Sequence, residues 1–79
     1  MADATLDKLR SVVAAFFSTS ADRLTGETTA DDVDGWDSVA HAMLVLEIED
    51  AFNITLLYEE AIEAENLSAF AALIDQKQA

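Results

Sequence analysis

Apolar residues recur at helical spacing in four stretches of the chain, separated by polar connections. Leu6, Leu9, Val13, Phe16 and Phe17, with Val12 beside them, mark the apolar face of a helix over about residues 3–17. Asp3 or Thr5 can start it, and Lys8 and Arg10 fall on its polar side. From Ser38 to Phe52 there is no Gly or Pro, and Ala, Leu, Met and Glu dominate, so a second helix is expected over 38–52. A third, short helix is expected over about 59–65, with Ala61 and Ile62 inward. The fourth is expected over about 67–76, with Asn66 or Ser68 as cap and Leu67, Phe70, Ala71, Leu73 and Ile74 forming its face. Met1, Ala2 and Gln76–Ala79 are expected to fray.

The second helix carries two apolar stripes rather than one. Leu44, Val45, Ile48 and Phe52 lie on one side, with His41 at the upper end. Val39, Ala42, Met43 and Leu46 lie roughly opposite, with Glu47, Glu49 and Asp50 at or between the edges. A chain this short has little core with which to bury a helix all round. The first stripe is therefore assigned to the core and the second to contact with a partner.

The connection over 18–37 is rich in Ser, Thr and Asp and holds both glycines of the chain, Gly26 and Gly35. Ser20 to Leu24 reads as a short turn, with Leu24 and Val33 as plugs into the core. A loop of this length in a small domain calls for a functional reason. Gly35 permits a positive φ immediately before the second helix. Trp36 reads as a half-buried ring that closes the loop. In the next connection Ile54, Leu56 and Leu57 are expected to anchor the chain to the bundle. The fold class that follows is all-α, a small four-helix bundle of three longer helices and one short one, in a single domain.

Charge narrows the function. Sixteen acids against four bases give a formal charge of −12. Nucleic acid is disfavoured as a ligand, because its phosphates would be repelled. A hydrophobic content of 52% argues against disorder. The chain has no cysteine, and so no disulfide or thiolate chemistry. No apolar run reaches the length of a membrane span, and the acidic start is unlike a signal peptide, so a soluble, cytoplasmic monomer is expected. Between Asp31 and Glu65 the sequence has eleven acids and no Lys or Arg. Such a field steers in partners with basic surfaces.

Ser38 stands at the mouth of the second helix, where unpaired N–H groups and a partial positive charge favour a phosphate. Asp37 or Ser38 can cap the first turn. A hydrolase triad of Asp37, Ser38 and His41 is rejected, since all three fall within one helical turn and leave no room for the required geometry. A lone histidine makes no metal site. His41 is expected to pack, with a hydrogen bond to the first loop. No general base is positioned to act, so the chain is not expected to be an enzyme.

Asp37-Ser38-Val39 resembles the Asp-Ser-Leu motif of acyl carrier proteins. The resemblance continues through Leu44, Ile48, Glu49 and Phe52, which follow that family's Leu-x-x-x-Leu-Glu-x-x-Phe spacing, and through Asn53-Ile54. Gly35-Trp36-Asp37-Ser38 and the following Ala40-His41 are most similar to discrete, specialised carriers. The likeness covers nearly the whole chain in length, acidity and helix order. It implies that Ser38 carries covalent 4′-phosphopantetheine, flanked by Asp37, installed by a phosphopantetheinyl transferase from coenzyme A. It implies carriage of acyl intermediates as thioesters in fatty-acid, lipid or secondary-metabolite biosynthesis. Partners would be acyl-activating, acyl-transferring or condensing enzymes with basic surfaces. Val39, Ala42, Met43, Leu46, Glu47, Glu49 and Asp50 are the candidate docking residues.

Four departures stand out. Leu57 falls where many members have proline, and Trp36 where many have a small residue. Ala40 and Met43 replace acids of the housekeeping carrier, and the third helix reads about three residues longer. Two alternatives remain open at this level: an aminoacyl or peptidyl-type carrier, such as a D-alanyl carrier, and an acidic helical adaptor without a cofactor.

Overall fold

The structure, a computed structural model, describes residues 2–78. Met1 and Ala79, expected to fray, lie outside the described residues. The described chain is all-helical. The helices are α1 (Ala2–Phe16), α2 (Ser38–Phe52), α3 (Tyr58–Glu63) and α4 (Leu67–Gln78), with two short 3₁₀ turns, Ala21–Arg23 and Ala30–Asp32, in the first connection.

The core is built from one stripe of each helix. Leu9 and Val13 of α1, Leu44 and Ile48 of α2, and Leu67, Phe70 and Ile74 of α4 have almost no exposed surface. Each such side chain contributes about 1.5–3 kcal/mol by leaving water. α1 packs most extensively on α4 and next on α2, whereas the short α3 touches mainly α2. Leu24 plugs the core as expected, while Val33 is only half-buried.

Particular residues end and join the helices. Asn53 takes the left-handed conformation at φ 55°, and its N–H returns to the Glu49 carbonyl, which stops α2. The side-chain oxygen of Asn66 accepts from the Ala69 N–H at 2.8 Å and caps α4. That cap needs an extended approach, and the chain has already left the helical conformation at Ala64. α3 therefore ends at Glu63, not Glu65, and has six residues. At the other end α4 runs to Gln78 rather than fraying from Gln76, and the Gln78 amide donates to the Phe52 carbonyl at 3.4 Å.

The long first connection is strapped down at both ends. Arg10, read as a polar-face residue, instead donates from Nε to the Leu24 carbonyl at 2.8 Å and from its guanidinium to the Ala21 carbonyl at 2.7 Å. The N–H groups of Leu67 and Ser68 donate to Thr28 and Gly26 at 3.1 and 2.8 Å, which pins the loop to the start of α4. A Cβ on Gly26 would fall 2.1 Å from the Ser68 hydroxyl, so this close approach uses the missing side chain.

Two anchors are corrected. Leu57 caps α3 from outside with 58% of its surface exposed, and Ile62 is 57% exposed. Leu56 takes the buried place next to Leu57, and Ala61 the one next to Ile62. Adjacent residues project in different directions, so only one of each pair can face the core.

Candidate functional site

The site is assembled around the first turn of α2. Gly35 has φ +88°, so the backbone turns in a conformation that L side chains rarely adopt. The Trp36 N–H donates to Val33 at 3.3 Å and the Asp37 N–H to Gly35 at 3.0 Å. Asp37 is extended, and its Oδ1 accepts from the Ala40 N–H at 2.8 Å, so it is the cap of α2. Ser38 is left as the first helical residue, exposed, with no side-chain hydrogen bond of its own among the described residues.

Behind Ser38 stands an aromatic wall. Trp36 stacks on Phe17 with ring centroids 5.2 Å apart, and its indole N–H donates to His41 Nδ1 at 2.9 Å. The rings of Trp36, Tyr58 and Phe70 each lie 6.0 Å from that of His41. Since Nδ1 accepts, the hydrogen-bond network assigns the ring proton to Nε2. That Nε2 is buried and has no hydrogen-bond partner among the described residues.

A cleft of about 370 Å³ opens beside these groups. Ser38, Asp37, Trp36 and His41 form one side, Tyr58, Ile62 and Ala64 of the α3 region another, and Phe70 and Thr28 lie across from them. The exposed Ile62 belongs to this cleft rather than to the core. The periodicity of α3 alone concealed this, because a six-residue helix barely completes two turns.

The second stripe of α2 is open. Val39, Met43 and Leu46 are 70%, 55% and 65% exposed, and Ala42 is exposed beside them. Glu47 and Asp50 are also exposed and border a hollow where α2 meets α1. Glu49 differs from them. It is half-buried, and its Oε2 accepts from the Leu56 N–H at 2.8 Å, tying α2 to the second connection.

On α3, Glu60 receives Lys77 Nζ at 2.9 Å and the Leu57 N–H at 3.2 Å. The Lys77 hydrogen bond, then that of Leu57, holds its carboxyl below the ordinary carboxylate value. No group of acidic, His or Cys side chains among the described residues could hold a metal ion. No described helix is long and apolar enough to cross a membrane.

No family model matches the chain, and no curated protein matches it by sequence. Among solved structures it is similar to the solution NMR structure of holo acyl carrier protein from Geobacter metallireducens. The two are 34% identical, the match covers 94% of this chain and 85% of that one, and the TM-score is 0.82. The chain belongs to the acyl carrier protein family. In this carrier the Trp36–His41 pair and the cleft converge on the first turn of α2, where Ser38 is both exposed and accessible from the cleft. The Asp37 cap holds that turn, and Gly35 sets the direction from which the chain enters it.

Proposed function

We propose that Ser38 is the attachment residue for 4′-phosphopantetheine, and that the carrier delivers acyl intermediates to enzymes of fatty-acid, lipid or secondary-metabolite biosynthesis. The observation that carries this reading is the position of Ser38, exposed at the first residue of a 15-residue helix and on the edge of a cleft lined by both apolar and polar side chains. When bound, the group supplies a thiol that holds the acyl chain as a thioester. The residues present fit such a group. The hydroxyl of Ser38 is accessible, the start of α2 favours a phosphate, and His41, whose Nε2 is buried and unpaired, lines the same cleft.

Asp37 keeps the first turn of α2 formed, so that Ser38 is presented from a fixed backbone. Gly35 turns the chain into α2, and Trp36 lines the cleft from the loop side. The serine needs no base from this chain, because a phosphopantetheinyl transferase brings its own. Partners would dock on Val39, Ala42, Met43 and Leu46, with Glu47 and Asp50 steering basic surfaces to the border of that stripe. Glu49 contributes to this field less directly, since one of its oxygens is committed to Leu56.

The test is intact mass after incubation with coenzyme A, magnesium and a broad-specificity phosphopantetheinyl transferase. The wild-type chain should gain one phosphopantetheine group and Ser38→Ala none, with the helical circular dichroism of the two unchanged. Failure of the wild type to gain mass, while a control carrier is modified in the same tube, would overturn the reading and favour an adaptor without a cofactor.

A further inference from the structure

His41 carries a chemical feature that packing does not use. Its Nδ1 is occupied by the Trp36 N–H, which fixes the ring orientation and leaves the proton on Nε2. That N–H is buried and unpaired, in a residue that lines the cleft. A buried donor without an acceptor costs free energy, and a core histidine with a purely structural role pairs both nitrogens or exposes one. The wall around it is aromatic, formed by Trp36, Tyr58 and Phe70. The cleft beside it is partly apolar, with Ser38, Thr28 and Asn66 among its other hydrogen-bonding side chains. Tyr58, at the start of α3, is 42% exposed and sets its ring edge-on to that of His41.

Ser38 and His41 are three positions apart, which places them as neighbours on the helix surface, and both line the cleft. We propose that His41 is a positioning residue for whatever Ser38 carries: its Nε2–H donates to an oxygen acceptor of that group and holds it in the cleft. This rests on the reading of Ser38 as the attachment residue. The acceptor is an amide or hydroxyl oxygen of the arm, or an oxygen on the carried acyl chain.

The chain has one histidine and one tryptophan, so their side-chain NMR signals are unambiguous. The experiment follows the His41 Nε2–H, the Trp36 indole N–H and the Ile62 methyl in four forms: unmodified, loaded with the arm alone, loaded with a saturated acyl chain, and loaded with its 3-oxo counterpart. Mass spectrometry confirms loading first, and absence of loading overturns the reading of Ser38 rather than the role of His41 alone. A downfield shift and slowed exchange of Nε2–H with the arm alone assigns the acceptor to the arm. The same change only in the 3-oxo form assigns it to the cargo. No change in any loaded form overturns the proposal.

Two variants separate positioning from packing. His41→Asn keeps an acceptor for Trp36 near Nδ1 but removes the donor, whereas His41→Gln places an N–H near the position of Nε2. The shift of the Ile62 methyl on loading should fall in His41→Asn, with a roughly two- to tenfold smaller docked-to-free ratio, the range that one hydrogen bond supplies. It should be retained in His41→Gln. Equal shifts in the wild type and both variants would overturn the proposal, as would equal loss in both.

Discussion

The indole N–H of Trp36 donates to Nδ1 of His41 across 2.9 Å, joining the last turn of the long loop to the first turn of α2. One bond thereby closes the loop, orients the histidine and positions the edge of the cleft. Phe17 of the α1–loop junction stacks on the other side of the indole, so the same ring also ties the site to the N-terminal helix.

Trp36→Phe keeps an aromatic ring beside Phe17 but removes the indole donor together with part of the ring. It should cost about 1 kcal/mol, read as a fall of roughly 4–8 °C in Tm for a domain of this size. Circular dichroism is the appropriate probe, since the variant has no tryptophan fluorescence. An unchanged Tm would show that the bond does not hold the loop.

Asp37→Ala should lower the urea midpoint by an amount equivalent to about 1 kcal/mol, the usual effect of losing a helix N-cap. Asp37→Asn should recover most of it, because the amide oxygen can still accept from Ala40. Equal losses in the two variants would instead assign the effect to charge.

Leu44 and Leu46 lie on opposite faces of α2, at 0% and 65% exposure. Leu44→Ala should cost about 2–5 kcal/mol, enough to unfold much of the population of a small domain. Leu46→Ala should change stability by less than about 0.5 kcal/mol. If the outer stripe receives partners, Leu46→Ala should nevertheless raise the KM of the phosphopantetheinyl transferase for the carrier while leaving its kcat nearly unchanged. A KM equal to that of wild type would remove Leu46 from the docking surface.

Glu60 links α3 to α4 through Lys77, and that hydrogen bond lowers its carboxyl pKa. The folded value lies below the unfolded one, so the stabilisation is present above the ordinary value of about 4.3. It is lost as pH falls through the depressed folded value. Acidification also relieves repulsion in a chain of charge −12, so a global melting curve mixes opposing effects. A site-resolved carbon NMR titration isolates Glu60. Its midpoint should rise towards the ordinary value in Lys77→Gln, and an unchanged midpoint would show that the ion pair is not formed in solution.

The sequence alone determined the number and order of the helices, the inward stripe of α2, the Asp37-Ser38 opening and the resemblance to the family. Each is a local property, written in periodicity, capping residues or a contiguous motif, and so survives being read one segment at a time. It also anticipated that Trp36 would close the loop and that His41 would bond to it, because a lone polar ring on a core-side stripe needs a partner from the adjoining segment. Only the tertiary structure decided which of two neighbouring apolar residues faces inward at Leu56-Leu57 and at Ala61-Ile62. Short segments have too few turns for periodicity to set their rotation, and packing against α2 sets it instead. The tertiary structure likewise turned Arg10 towards the loop carbonyls, set Glu49 on Leu56, and left His41 Nε2 unpaired beside a cleft. Those outcomes depend on groups far apart in the chain meeting in space, and a hydrogen bond between distant segments leaves no periodic trace in the residues that make it.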